Sequence, residues 1–510
     1  MSQPPEPPNA DPNSPVSKAI SAPVSSSARA GRAVLALVIA ASSLVVIDMT
    51  IVAIGLPEIR RDLGGSLADV QWVMVAYLIT MGAVTQVMGS LSDAVGRRRV
   101  FLFGAALFTA ASVACGLAPG VYFLDAARAV QGVGGAILMV NALPLLSHQF
   151  EGERRNMAIS TWGSAATAVG LLAPLLGGVL VEWLSWRALF LVNLPVGLAI
   201  LALGLRHLPA DTPAPGAVRT VRWPSALLLV AALGLGNFAL LRGADQGWTS
   251  AATLLQSATA LALLALFLRG ESRADAPLLV LALFRAPAFT GAALAVFMSR
   301  VLTIGGTVYF VQYFHDALHL GPVAIGLLLA PVFLAQMAAG MAGGKLLTRF
   351  APGHVIATGY ACKAAGAALL ALAFPSAAAA AHPWLLALPL LVWGTGGGIA
   401  GAPVMAVAMN VTGRDRAGMV SGTITSLASI GAGLGTAALG VLYASRLHGT
   451  GSATGSVTGS GGTPPPEAVA SAAATVLYTS AALATLTLAA VLILISPRHA
   501  PAPARKVSPG

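Results

Sequence analysis

Residues 44–57 read LVVIDMTIVAIGLP, and within them Asp48 stands inside an apolar run covering about residues 33–55. A run of that length spans a bilayer, for which ~20 residues suffice, so a carboxyl group is predicted inside the membrane. A charge at a span centre costs roughly 2.5–3.5 kcal/mol on insertion scales. Such a residue marks a proton or ion carrier, or a counter-ion for substrate. The competing reading is a neutral, hydrogen-bonded carboxyl with a structural task. Every other Asp or Glu falls in a predicted loop, tail or span end.

The rest of the chain agrees with a membrane setting. Its 510 residues are 56% hydrophobic and 9% charged, with a mean hydropathy of +0.81, whereas soluble chains carry about 25% charged residues. Apolar runs recur between short polar breaks at about 33–55, 71–91, 100–118, 122–146, 158–181, 188–205, 225–241 and 252–268. Six more follow at about 288–311, 323–342, 355–374, 385–409, 418–443 and 471–495. The expected fold is an all-α membrane protein with about fourteen transmembrane helices. Cys115 and Cys362 both fall in apolar runs, where cysteine behaves as a small core residue and not as a disulfide or metal ligand.

The net charge of +11 is explained by its distribution. With the N-terminus in the cytoplasm, inside loops hold Arg97, Arg98, Arg99, Arg154, Arg155, Arg206, Arg269, Arg273, Lys345, Arg349, Arg414 and Arg416 among others. Outside segments hold only Arg60, Arg61, Arg187, Arg242 and Arg446. That bias is topogenic. It places both termini in the cytoplasm of a cell membrane protein and leaves no nucleic-acid surface to explain. A faint repeat divides the chain, since Gly89, Leu91 and Val100 recur in register as Gly344, Leu346 and Val355, with Asp93 replaced by Thr348. Parallel six-helix halves with a site between them are a known transporter plan. The expected parts are a disordered cytoplasmic tail (1–32), a first half (33–207), two inserted helices with flanking loops (208–287), a second half (288–496) and a tail (497–510). The Gly/Ser/Thr-rich stretch within 445–470 reads as a flexible external loop.

Four motifs carry a resemblance. Residues 89–99, Gly89-Ser-Leu-Ser-Asp93-Ala-Val-Gly96-Arg97-Arg98-Arg99, resemble the cytoplasmic signature loop between helices two and three of the major facilitator superfamily. Leu124-Asp-Ala-Ala-Arg128-Ala-Val-Gln131-Gly132 is similar to the helix-four motif tied to proton transfer in that family. Gly170-Leu-Leu-Ala173-Pro174-Leu-Leu-Gly177-Gly178 is similar to the helix-five antiporter motif, with Ala173 where the family has glycine. Trp183-Leu-Ser-Trp186-Arg187-Ala-Leu-Phe190-Leu-Val-Asn193-Leu-Pro195, together with the helix-one pattern around Asp48, resembles the 14-helix drug:proton antiporter branch. The resemblance implies gating roles for Gly89, Asp93, Gly96, Arg97, Arg98, Gln131, Gly132, Gly170, Pro174, Gly177 and Gly178. It also implies export of amphipathic drugs or antibiotics by proton antiport, driven by the proton-motive force and without a cofactor.

Depth adds a specific expectation. At ~1.5 Å per residue, Asp48 lies roughly 10–12 Å below the outer end of its helix and Arg128 roughly 9–10 Å below the same face. The two are expected to communicate, directly or through water. An opposite charge favours an ionised acid and a dry setting the protonated one, and alternation between such settings is what an antiporter requires. In the second half, Arg300 sits near the midplane and is a candidate contact for an anionic substrate group, while Lys363, nearer the cytoplasmic end, is expected to snorkel to water. Trp72, Tyr77, Asn141, Trp162, Tyr309, Gln312 and Gln336 complete the candidate cavity lining, with Gln71, Gln86 and Tyr313 beside them. A large site with few polar groups suits amphipathic substrates. The alternatives are a proton symporter or facilitator for a metabolite and, more remotely, a receptor or membrane enzyme. No nucleotide-binding loop, His-Glu-x-x-His run or Cys/His cluster occurs in the sequence, so the chain is expected to be no enzyme, to hold no metal and to act as a monomer.

Overall fold

The computed structural model describes residues 24–208, 222–274, 277, 279, 281–347, 349–410, 417–454 and 465–495, and these form fourteen long helices with no strands among the described residues. In chain order they are α1 (Val24–Leu63), α2 (Leu67–Val95), α3 (Arg97–Gly116), α4 (Val121–Gln149), α5 (Gly152–Trp183), α6 (Ala188–His207) and α7 (Trp223–Gln246). The series continues with α8 (Ala251–Ser272), α9 (Pro287–Asp316), α10 (Pro322–Leu346), α11 (Pro352–Ala373), α12 (Ala387–Asn410), α13 (Ala417–Thr454) and α14 (Pro466–Leu494). Thirteen are long and apolar enough to cross a membrane, and α5 adds a fourteenth helix of 32 residues whose described apolar stretch is Leu172–Trp183. A helix satisfies its own backbone, which is what a segment in hydrocarbon requires.

Local chemistry sets the helix starts. Gly64 and Gly65 turn the chain at φ +71° and +100° after α1. Ser66 then caps α2, its Oγ accepting from Asp69 N at 3.2 Å while Asp69 Oδ2 accepts from Ser66 N at 2.9 Å, a reciprocal cap. Proline stands in the first turn of α7, α9, α10, α11 and α14, where its missing N–H is not needed. Two boundaries differ from the sequence expectation, the first being that α1 already begins at Val24, inside the stretch expected as a disordered tail. Helix α13 runs on to Thr454, well into the stretch expected as a flexible loop, because its helix-compatible run continues through Ala444-Ser-Arg-Leu447. The basic residues Arg414 and Arg416, both tails beyond the described ends, and the side chain of Asp93 lie outside the described residues.

The helices α1–α6 pack on one another chiefly through α2–α4, α3–α4, α1–α5 and α3–α6, and α9–α14 do so through α10–α12, α11–α12, α11–α14 and α9–α13. The two groups meet along α2–α13 and α5–α10. Helix α7 packs on both α2 and α13, and so lies along one of these seams, while α8 packs on α7. Trp72, Val75 and Ile79 of α2, Leu229, Leu233 and Leu241 of α7, and Ala437 of α13 form the apolar cluster that holds it there. Arg242 Nη2 donates to Asp69 Oδ1 at 2.8 Å and ties the far end of α7 to the start of α2.

Contacts between the halves gather at the end of the bundle that carries the α1–α2 turn. Gln71 Nε2 donates to Tyr309 Oη at 3.1 Å, and Tyr309 Oη donates to Thr436 O at 2.6 Å. Glu182 Oε2 accepts from Val323 N at 2.9 Å. On the second seam a Cβ at Gly178 would land on the carbonyl of Pro322, and one at Gly326 on the carbonyl of Pro174. The glycines are what let these backbones touch. Toward the opposite end, α2 contacts its own half instead, Gly89 facing Val140 and Ser92 Oγ donating to Asn141 Oδ1.

Candidate functional site

Asp48 and Arg128 are both fully buried and form an ion pair between Asp48 Oδ2 and Arg128 Nη1. The two lie 80 residues apart in the chain, and helices α1 and α4 bring them face to face. Arg128 is held from three sides. Its Nε donates to Val73 O at 2.8 Å, its Nη1 also donates to Gln131 Oε1 at 2.6 Å, and its guanidinium carbon lies 4.1 Å from the centre of the Tyr77 ring. Phe190 of α6 closes another side, its ring centre 5.7 Å away. Val73 and Tyr77 lie one turn apart on α2, so a single face of that helix supplies both contacts.

Asp48 has its own shell. Oδ1 accepts from Gln131 Nε2 at 3.0 Å and from Asn193 Nδ2 at 3.2 Å. Both amides also reach Ser112 Oγ, Gln131 at 2.7 Å and Asn193 at 3.3 Å, and Ser112 in turn donates to Phe108 O at 2.8 Å. Five helices, α1, α2, α3, α4 and α6, therefore converge on one carboxylate. Stripping water from two charges is costly, and a buried pair is held only when further hydrogen bonds satisfy it. Here those bonds come from groups that stay polar whether Asp48 carries a proton or not. Arg128 Nη2 and Tyr77 Oη remain without a hydrogen-bond partner, so the shell has unused capacity beside the charges.

The motif glycines make this convergence possible. A Cβ at Gly132 would meet Tyr77 O at 2.5 Å, and one at Gly135 would meet Tyr77 Oη at 2.9 Å, so α4 rides directly on the α2 turn that cradles Arg128. Gly170 and Gly177 of α5 face Val46 and Ile51 of α1, on either side of Asp48. Pro174 lies inside α5 on the α10 seam. Gly96, at φ +118°, joins α2 to α3, a conformation that favours glycine. Beside it, Arg98 Nη2 donates to Leu205 O of α6 at 2.7 Å, and Arg97 stands at the first position of α3.

Of the candidate lining residues, the structure brings some to the seam and sends others elsewhere. Tyr309 bridges the halves, and its neighbour Gln312 is buried on the same helix. Gln336 is half-buried beside Gly397 and Lys363. Tyr77 lies under Arg128 and not on an open surface. Trp72 points to the inserted helix, its ring 6.3 Å from Phe238. Asn141 is buried against α2, and Trp162 donates to Ser42 Oγ of α1 at 2.8 Å. Lys363 does not snorkel as expected. It is 1% exposed, because the face of α11 bearing Gly359, Lys363 and Gly366 is pressed against α12. Arg300 is exposed, and a π-helical turn, Val301–Gly305, follows it directly.

Sequence reading missed Asn193 as a partner of Asp48 and Ser112 as the acceptor behind Gln131 and Asn193, because neither position shows its helix face before packing. It also missed Asp125, one turn before Arg128, whose Oδ1 is buried without a hydrogen-bond partner. The spacing from Arg128 was the available clue. Among the described residues no group of His, Cys, Asp and Glu is placed to hold a metal.

The sequence profile of the Major Facilitator Superfamily matches residues 38–436, from within α1 to within α13. The chain belongs to the Major Facilitator Superfamily. It is accordingly a multi-pass membrane transporter and not an enzyme. Among its relatives, the tetracenomycin C resistance and export protein of Streptomyces glaucescens is 35% identical over 79% of this chain and 74% of its own. The multidrug resistance protein Stp of Mycobacterium tuberculosis is 32% identical over 80% and 75%. The cephamycin export protein of Amycolatopsis lactamdurans is 32% identical over 82% and 86%. In fold, the chain is similar to a bacterial homologue of the human lysosomal transporter Spinster in an inward-facing, occupied conformation, with a TM-score of 0.63, 15% identity, and coverage of 92% of this chain and 98% of that one.

Proposed function

We propose that this transporter exports amphipathic drugs or antibiotics across the cell membrane in exchange for protons, by alternating access of a site between its two halves. The observation that carries the reading is the dry Asp48–Arg128 pair, wired to Gln131 and Asn193. Its companions are the relatives, whose names are those of resistance and export proteins. A carboxylate sealed among five helices gains or loses a proton only when those helices part, and that ties protonation to the conformational cycle. Arg128 supplies a charge for the ionised state, and the amides of Gln131 and Asn193 serve either state.

With both termini in the cytoplasm, as the basic loops argue, the α1–α2 turn is external. The described contacts between the halves then lie on the outer side, and the conformation is inward-open. Near the seam a small gap of about 20 Å³ is lined by Met49, Thr50 and Met74 from one half and Thr303, Thr307 and Phe333 from the other. Pockets for drug-sized ligands measure roughly 300–1,000 Å³, so the halves part around this gap when substrate binds. Each proton entering brings ~2.3 kcal/mol per 100 mV and ~1.4 kcal/mol per pH unit. That suffices for one or two decades of substrate gradient per proton. No cofactor is needed, and one chain carries both halves of the site.

The test is reconstitution in liposomes, following proton flux as lipophilic cations, neutral antibiotics and anionic compounds are added, with Asp48→Asn alongside the wild type. Substrate-evoked counterflow that disappears in the variant is the expected result. Equal flux in both proteins refutes Asp48 as the carrier, and substrate movement without proton movement favours a facilitator.

A further inference from the structure

The second half contains a cluster rich in hydrogen-bond donors. Lys363 of α11 is 1% exposed, donates from Nζ to Thr303 Oγ1 at 2.5 Å, and lies 5.0 Å from the centre of the Trp393 ring. An ammonium has three N–H groups, and this contact uses one. Trp393 of α12 is also 1% exposed, and its indole N–H has no partner. Arg300 lies on α9 three residues before Thr303, the acceptor for Lys363. Among the described residues no carboxylate pairs with either cation. Gln336 reaches the same spot from α10, since a Cβ at Gly397 would be 3.6 Å from both its amide and Lys363 Cε.

A buried cation without a counter-charge, such as Lys363, is costly, and such groups persist in membrane proteins where a function needs them. The surroundings favour a ligand site over a structural lock. Thr303 is both the acceptor for Lys363 and part of the wall of the void between the halves. It lies in the π-helical turn that begins right after Arg300, and such turns gather at functional sites. Arg300 is exposed and directly precedes the turn that carries Thr303 and Ile304 into the wall of that space. Asp48 borders that space from the first half through its neighbours Met49 and Thr50.

We propose that Arg300 and Lys363, with the Trp393 indole N–H, form the recognition site for a compact anionic group, a carboxylate or an ionised enol or phenol, on an otherwise apolar aromatic substrate. The inference rests on the exporter reading and narrows it to substrate class. The anion supplies the negative charge that the two cations lack and an acceptor for the free Lys363 and Trp393 N–H groups. The carbon skeleton occupies the apolar space beside Met74 and Phe333.

The experiment is an equilibrium binding titration of purified full-length protein in lipid nanodiscs, followed by fluorescence anisotropy. It uses two xanthene dyes of similar size and opposite charge, fluorescein as the anion and rhodamine 123 as the cation. The proteins are wild type, Arg300→Gln, Lys363→Gln and the charge-keeping Lys363→Arg. The wild type is expected to bind fluorescein saturably. A charge-assisted contact is worth roughly tenfold to a hundredfold in affinity, so each glutamine variant is expected to lose at least about tenfold, with Lys363→Arg recovering most of it. Rhodamine 123 affinity is expected to hold or rise in the glutamine variants. Absence of saturable fluorescein binding by the wild type overturns the proposal, as does unchanged fluorescein affinity in Arg300→Gln, the variant at an exposed position. Because binding at equilibrium needs no proton coupling, loss of antiport in liposomes with intact fluorescein binding would sink the exporter mechanism and leave this site standing.

Discussion

Asp48→Asn keeps the size of the side chain and removes the charge opposite Arg128. Both residues are fully buried, so solvent does not take over the lost interaction. Deleting one partner of a buried pair costs roughly 3–5 kcal/mol. Two features of this site set the value. The asparagine oxygen still accepts from Gln131 and Asn193, which keeps those amides satisfied, but its amide group then faces Arg128 Nη1, donor against donor. The Tyr77 ring at 4.1 Å goes on supporting the cation, at about 2 kcal/mol when desolvated. The expected destabilisation is thus about 3 kcal/mol, at the low end of the range. Arg128→Gln is expected to cost about 2 kcal/mol, since the orphaned carboxyl can take up a proton. In the double variant no charge is left, and it is expected to be more stable than the sum of the single costs by about 2 kcal/mol, within the range for contacting residues. Thermal unfolding of the four proteins in one detergent measures this cycle. Additive costs would refute the claim that the two charges sense each other in the folded protein.

Other perturbations probe the seams and the inserted pair. Gly326→Val drives a branched side chain into the Pro174 carbonyl and is expected to wedge the α5–α10 seam open at the outer end. Reaction of an introduced outer cysteine with a membrane-impermeant maleimide should rise severalfold, and an unchanged rate would contradict the inward-open assignment. Tyr309→Phe deletes the bonds to Gln71 and Thr436, at about 1 kcal/mol net. The same labelling assay should then show a larger outward-open population while substrate affinity holds. Trp72→Ala is expected to lower thermal stability by about 1–2 kcal/mol, as a half-buried aromatic loses its packing on α7, without altering the substrate Kd. A tenfold change in Kd would return Trp72 to the binding site. Arg242→Gln loosens α7 from Asp69, a partly exposed pair worth under about 1 kcal/mol, so unfolding and transport should both stay near wild type.

Much of the architecture was legible along the chain because the bilayer imposes it. Span length, apolar composition and basic loops are one-dimensional quantities, and they mark the helices, the two halves around an inserted pair and the single acid at mid-span. The depth of Asp48 and Arg128 could also be counted from helix ends, because rise per residue is constant. Their contact could not. A buried membrane helix is apolar all round, so no amphipathic stripe tells which side chain faces which neighbour.

That lack of an azimuthal signal separates what sequence alone determined from what needed the tertiary structure. The chain dictates by itself that Asp48 lies in hydrocarbon, that Gly132 and Gly178 permit close helix approach, and that Arg300 sits deep in its span. Only packing decided that Asn193 joins Asp48 with Ser112 behind it, and that Tyr77 supports Arg128 while Trp72 turns away to α7. Only packing turned Lys363 inward to meet Thr303 and Trp393, where a count of residues to the membrane face pointed to water. Depth follows from covalent geometry and one repeating dihedral pair, whereas rotation about each helix axis is fixed by interlocking side chains from several distant segments.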